Sequence, residues 1–312
     1  MNKPFTPPAP PTGQPFTPPA PPAIGGFAPP PAPVMNAMGT PPATLFEQKP
    51  RLLIFDFSNL AYQALFACTR TPEVLEKEFD GHYRIFISKV QSLLAKMSDM
   101  NCEIIFALDS FPQAKKDIYP GYKEGRKKFD FDPKRGLLSA LSNILEFKIA
   151  KVKGYEADDV MGSIVAQNPD KQCIVISSDK DLWVLMKYDN CNIYSLHKNE
   201  YITHEMFVEE FQVVNYHHLT LVKTLWGDSS DAIPNKMPRA QKHMLPLINE
   251  SDGTLGSFLQ NFDSKRSVIP PKVVAMWEQN EDQIIDNYSL VSLNCALEFE
   301  LHKYVKGLEY QL

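Results

Sequence analysis

The chain has 312 residues, 44% of them hydrophobic, and a net charge of −5, which suits one large or two smaller globular domains. No apolar run approaches the roughly 20 residues of a membrane span, and the N-terminus lacks the charged-then-apolar layout of a signal peptide. The five cysteines form no CxxC pair and two lie in strand-like apolar runs, which fits reduced thiols in a cytoplasmic protein and argues against structural zinc.

Of 27 prolines, 17 fall in the first 50 residues, where Pro-Phe-Thr-Pro-Pro-Ala-Pro-Pro occurs at 4–11 and again at 15–22. Residues 1–46 carry one charged side chain, Lys3. Such a segment buries too little apolar surface to offset its ordering entropy, so a disordered tail of polyproline-II character is expected over 1–50. It reads as a spacer, or as a docking peptide anchored by Phe5 and Phe16.

From Arg51 the texture changes. The patterning predicts a strand at 51–56, helices at 58–67 and 83–98, and a strand at 103–108. A basic connection at 111–134 leads to a helix at 135–147 and a strand at 149–152. A helix at 157–167, a strand at 172–177, a helix at 181–187 and a strand at 192–196 follow. Alternating strands and helices indicate an α/β fold with a doubly wound, mostly parallel sheet over 51–202. The remainder, 203–312, reads as an α-helical portion with helices at 203–211, 217–226, 239–249, 271–278 and 281–287.

The net charge hides a segregation. Lys115, Lys116, Lys123, Arg126, Lys127, Lys128, Lys134 and Arg135 crowd one segment, against Asp117, Glu124, Asp130 and Asp132. Charge distribution, more than the total, is the footprint of a nucleic-acid partner.

Nine carboxylates fall in five clusters, most of them closing an apolar run: Asp56; Asp109; Glu156, Asp158 and Asp159; Asp179 and Asp181; Asp228 and Asp231. Singly, they also read as turn formers, N-caps or a solvated helix start. Glu156, Asp158 and Asp159 suit a helix N-terminus, yet they repel one another without a cation. A parallel sheet gathers its carboxyl ends on one edge, so distant acids can meet there. With no histidine beside them, the oxygen ligands favour Mg²⁺, with Mn²⁺ able to substitute. More acids than one ion can use suggest two ions, an arrangement suited to phosphodiester hydrolysis.

These residues carry a family resemblance. Asp56-Phe-Ser-Asn59, Ala107-Leu-Asp109, Tyr119-Pro-Gly-Tyr-Lys-Glu-Gly-Arg-Lys127, Gly154-Tyr-Glu-Ala-Asp-Asp159, Ser178-Asp-Lys-Asp-Leu182 and Gly227-Asp-Ser-Ser-Asp231-Ala-Ile-Pro234 occur in the order of the 5′-nuclease (flap endonuclease) superfamily. The chain resembles above all its bacteriophage members of ribonuclease H type. The resemblance implies a PIN-like core, a basic helical arch at about 111–135 and a C-terminal helical part that holds duplex DNA. It implies that the first seven acids, Asp56 to Asp181, bind metal, with Asp228 and Asp231 as a further pair. Lys123 and Arg126 match arch residues that meet the reacting strand, where they neutralise developing charge. Tyr122 is expected to stack on an unpaired base, and Lys127 and Lys128 to contact the strand.

One departure stands out. The family's glycine-rich hairpin holds a duplex phosphate on its amides, commonly with a potassium ion, but here Asn235, Pro238 and Ala240 stand where glycines are expected. A side chain blocks close backbone approach and proline offers no amide. The duplex grip, and the potassium site with it, departs from the family here, and the grip rests more on Lys236, Arg239 and Lys242.

The expected function is that of a Mg²⁺-dependent 5′→3′ exonuclease and flap endonuclease, a monomer acting on DNA and RNA–DNA hybrid 5′ ends in replication or repair. A single-strand-binding protein or sliding clamp is an expected partner; Leu308–Leu312 reads as a clamp-docking peptide or as ordinary helix-end residues. The alternative is a protein of the same fold that binds branched DNA without cutting it. A small PIN-type ribonuclease fits less well, because such enzymes generally lack the arch and the Asp228/Asp231 pair.

Overall fold

The structure, a computed structural model, describes residues 50–68, 79–97, 102–125, 132 and 134–306. The expected tail, Arg126, Lys127, Lys128 and the 308–312 segment lie outside the described residues. Glu47–Leu312 form one compact unit. Within it the helices after residue 203 share a core with the sheet.

Seven strands, β1 (Arg51–Asp56), β2 (Cys102–Ala107), β3 (Lys148–Ala150), β4 (Gln172–Ser177), β5 (Cys191–Ser195), β6 (Glu200–Tyr201) and β7 (His302–Lys303), lie in the order β6-β5-β4-β1-β2-β3-β7. The inner five are parallel, and the two-residue strands β6 and β7 close the edges antiparallel. An inner strand covered on both faces needs a nearly continuous apolar run, and β1 and β4 supply one in Leu-Leu-Ile-Phe and Cys-Ile-Val-Ile. Successive side chains point to opposite faces. Leu52, Ile54, Cys173 and Val175 therefore join one core, with Leu53, Phe55, Ile174 and Ile176 in the other.

Helices α1 (Phe57–Cys68) and α2 (Phe79–Met97) and the single turn α4 (Leu137–Leu141) supply the second core. Helices α5 (Ala157–Gln167), α6 (His204–Phe211), α7 (His218–Trp226), α8 (Gln241–Asn249), α9 (Leu255–Lys265) and α10 (Pro271–Val291) supply the first. A short helix α3 (Gln113–Ile118) lies in the basic connection, and Asp181–Lys187 is a 3₁₀ helix rather than an α-helix.

The expected helix over 135–147 contracts to α4 because a turn takes over at 142–144. The two expected helices at 271–278 and 281–287 are one, continuous through polar Gln279 and Asn280, whose side-chain amide donates to the Met276 carbonyl at 2.8 Å. Helix α9 was not foreseen, although Thr254 caps it by accepting from the Ser257 amide and Leu255, Phe258, Leu259 and Phe262 follow helical spacing.

Candidate active site

Register sets the site. Phe55 pairs with Phe106 on one side and Ile176 on the other, so the carboxyl ends of β1, β2 and β4 finish level. Asp56 ends β1 and accepts from the Asn59 amide (2.9 Å) and the Ser177 hydroxyl (2.7 Å). Asp109 lies two residues past β2 and accepts from the Ser58 hydroxyl and from the Ala157 amide (3.1 Å), which ties the strand end to α5. Asp179 follows β4 and accepts from the Asp181 amide at 2.9 Å. Glu156 is the N-cap of α5, with Asp158 in its first turn.

Asp56, Asp109, Glu156, Asp158 and Asp179 line one open cavity of about 930 Å³, together with Lys116, Lys123 and Lys134. The structure thus brings five of the nine expected acids together, from four separate stretches of chain. Burial, and next the charge of Asp109, pushes the Asp56 carboxyl up to about 7. Burial also raises Asp158, helped by Asp179 and Asp56, and raises Asp179 against the pull of Lys223. Like charges that cannot all ionise without help are what a divalent cation would relieve. Among the described residues no three such side chains stand already closed up as a ligand set. The donors fit hard cations by chemistry, all-oxygen and mutually repelling, and Glu156 is the one already neutralised.

Around Glu156 the cations are internal. Lys115 donates to it at 2.9 Å and Lys123 donates to its other oxygen. Burial works against ionisation here, but these two ammonium groups outweigh it and hold the Glu156 carboxyl at about 2. Lys123 also lies 3.4 Å from Asp231, and its amide donates to the Asp231 carbonyl at 3.0 Å. It adopts φ 57, a left-handed conformation uncommon for lysine, and the amide bond helps to hold it there.

The remaining acids are otherwise employed. Asp159 faces a separate small cavity with Lys115, Tyr155 and Asn294. Its carboxylate accepts from the Asn294 amide (2.8 Å) and closes a capping box on the Glu156 amide (3.4 Å), so it braces α5 instead of facing the larger cavity. Lys223 donates to both Asp181 and Asp228 and joins them as a pair. With Ser230 it outweighs burial and keeps Asp228 at about 2. Gly227 makes this turn possible: at φ 68, a Cβ there would meet the Ile233 carbonyl oxygen at 2.4 Å, where Asp228 and Ile233 form a bridge.

The stacking role expected of Tyr122 does not hold. The ring is 1% exposed, with its hydroxyl 2.8 Å from Glu156 and 3.0 Å from Asp231. Lys115 and Lys123 lie 5.6 and 5.0 Å from the ring centroid. A ring so enclosed offers no face to a base. Tyr122 is a strut between the α5 cap and the 228–231 turn.

The 233–242 segment spends its amides inward. Lys236 and Met237 both donate to the Leu225 carbonyl, capping α7, and Ala240 donates to Met237. Arg239 is exposed at φ 64 and lines a cavity of about 410 Å³ with Pro238, Lys272, Val273 and Met276. Lys242 is exposed and Lys236 half-buried. Sequence reasoning missed Lys115, Lys116, Lys134 and Lys223 as counter-charges, and Lys272. Their position in the basic run was the signal for the first three; nothing marked Lys223 or Lys272.

Residues 51–212 match the family model of the 5′–3′ exonuclease, N-terminal resolvase-like domain. A 5′–3′ exonuclease of Halalkalibacterium halodurans is 26% identical over 263 residues, covering 80% of this chain and 85% of that protein. The thermostable DNA polymerase I of Thermus aquaticus is 28% identical over 236 residues, 74% of this chain, and the match spans about a quarter (27%) of that polymerase. The fold matches that of a bacteriophage T5 flap endonuclease, crystallised as a pseudo-enzyme–product complex with DNA and metal ions. The TM-score is 0.61 at 18% identity over 78% of this chain and 89% of that one. The match over more than half of the chain establishes that this protein belongs to the 5′–3′ exonuclease family, through its N-terminal resolvase-like domain.

Proposed function

We propose that the chain is a Mg²⁺-dependent 5′→3′ exonuclease and flap endonuclease that removes RNA primers or 5′ flaps in DNA replication and repair. The observation that carries this reading is the cavity in which Asp56, Asp109, Asp158 and Asp179 face Lys116, Lys123 and Lys134. Asp56, Asp109, Asp158 and Asp179 would hold divalent ions, with Glu156 beside them; Asp181, Asp228 and Asp231 would serve a second ion if Lys223 gives way. Bound there, the ions supply Lewis-acid charge to the scissile phosphate and ease the ionisation of water.

The protein's own groups do the rest. Lys116, Lys123 and Lys134 draw a phosphate into a cavity whose acids would otherwise repel it. Lys123, tethered by Glu156 and Asp231, would neutralise charge that develops on the phosphate, and Arg126 is assigned the same task by family resemblance. Arg239 and Lys242, with Lys236, Lys127 and Lys128, would contact the nucleic-acid backbone.

Incubating the purified protein with a 5′-labelled primer–template and Mg²⁺ tests the reading. Wild type should release 5′-terminal products, and Asp158→Ala should lose most of that activity. An inactive wild type, or an undiminished Asp158→Ala, refutes it. The pairing of Glu156, Asp181 and Asp228 with lysines favours the other reading, a branched-DNA-binding protein, because it neutralises acids without metal. Titration calorimetry with Mn²⁺ decides between them: absence of binding supports the non-catalytic protein.

A further inference from the structure

We propose that the Lys223 ammonium is a built-in cation standing in the place of a second divalent ion, so that this ion loads only by displacing it. The inference rests on the nuclease reading for the identity of the ion, and adds what keeps the second group of acids from it. Lys223 lies in the last turn of α7, where a cation also suits the helix dipole. It donates to Asp181, at the start of the 3₁₀ helix, and to Asp228 at 2.6 Å, just past α7. Asp228 is held for this contact: its other oxygen accepts from the Ser230 amide (2.8 Å) and hydroxyl (2.6 Å).

The charges here do not balance. Glu156 has two ammonium groups to one carboxylate, whereas Lys223 offers one ammonium to two carboxylates. Asp179 lies within the same field. Burial raises its carboxyl, Lys223 pulls it down, and Asp231 and Asp228 push it up again. A purely structural ion pair would end with its charge cancelled. This one leaves a surplus of negative charge beside the acid cavity, which Asp179 and Ser230 line. A divalent ion cancels two carboxylates where the ammonium cancels one, and an all-oxygen donor set suits a hard ion. Lysine can also yield its place, because its ammonium rides on a flexible four-carbon stem and is strongly hydrated once released.

Ion loading is thereby ordered. An ion that enters the cavity meets Asp56, Asp109, Asp158 and Asp179 without disturbing Lys223, and binds first. The ion for Asp181 and Asp228 must break two charge-assisted hydrogen bonds before it can bind, so it comes second and more weakly. At low divalent-ion concentration the protein is held with its second group of acids closed.

Calorimetric titration of the full chain with Mn²⁺, together with melting in EDTA, tests this without reference to cleavage. Wild type should bind in two phases, one tight and one weak. Lys223→Met should melt lower than wild type in EDTA, because two carboxylates lose their counter-charge. It should bind the weak-phase ion roughly tenfold or more tightly, and gain more melting temperature from Mn²⁺ than wild type gains. Lys223→Met/Asp228→Asn should lose that advantage, which places the ion at this pair. Lys223→Arg keeps the charge and should titrate as wild type or more weakly. Should Lys223→Met fail to fold without metal, Lys223→Gln, able to donate to one carboxylate, replaces it in the same titration. A weak phase unchanged in the uncharged variant overturns the displacement, as does an advantage that survives Asp228→Asn; neither touches the nuclease reading if wild type cuts with Mg²⁺. An ion gained by the variant where wild type binds none supports the displacement and refutes the nuclease reading. No ion bound by either protein overturns both.

Discussion

Asp158 opens on the cavity, whereas Asp159, one residue on, takes the Asn294 amide at 2.8 Å and the Glu156 amide at 3.4 Å. Adjacent positions on a helix lie about 100° apart, so one side chain turns to the acid cavity and the other to the segment that follows α10. Asp159→Asn removes the charge from these amides and should destabilise the protein by about 1–3 kcal/mol. Cleavage per folded molecule should stay within a few fold of wild type. Thermal melting and a cleavage assay on the same sample check this, and a stable but inactive Asp159→Asn would return that acid to the chemistry. The sequence could show that these carboxylates end apolar runs, and therefore that they gather on one edge. It could not show direction: whether Asp159 faces in or out, that Tyr122 is enclosed, or that Lys223 sits between Asp181 and Asp228. Those depend on contacts with residues far along the chain.

At the scale of elements, period and caps carried the reading where they were strong. Helix 157–167 and strand 172–177 fall residue for residue where the patterning put them. The two-residue strands β6 and β7 have no period to detect, and α9 was hidden by the turn-like Ser251-Asp-Gly253 before it and the small, polar residues within it. The 233–242 segment was legible by composition but not by conformation: Arg239 takes the left-handed backbone that glycine favours. Arg239→Gly should therefore leave the melting temperature unchanged or higher. It should also weaken duplex binding and flatten the slope of log affinity against log salt by about 0.9, the loss of one phosphate contact. Anisotropy titrations at several salt concentrations measure it; an unaltered slope would remove Arg239, and the cavity it shares with Lys272, from the duplex interface.

For the whole molecule, the acid cavity couples stability to pH. Asp56, facing Asp109, Asp179 and Asp158 with Lys123 nearby, is raised to about 7 in the folded chain, far above its value when unfolded. A raised carboxyl stabilises fully below its unfolded value, and that contribution is lost as pH climbs through the folded one. Glu156 and Asp228, held near 2, act in the opposite sense, but their contribution is already complete above pH 5. The metal-free protein should thus melt at lower temperature at pH 8 than at pH 5. Mn²⁺ or Mg²⁺ should lift the melting temperature more at the higher pH, since the ion displaces protons. Scanning calorimetry across this range decides it; a metal-free melting temperature that rises from pH 5 to 8 would contradict the burial of these charges.

The Tyr122 strut has a consequence for the order of assembly. Its hydroxyl reaches Glu156, 34 positions along the chain, and Asp231, 109 positions along. Closing so long a loop costs entropy that nearer pairings must first offset. The β1–β4 pairing is farther apart still in sequence, and it brings Asp56 and Asp179 to one edge as it forms, so the repulsion among these carboxylates must be met as the sheet assembles and is not deferred to the docking of the 228–231 turn.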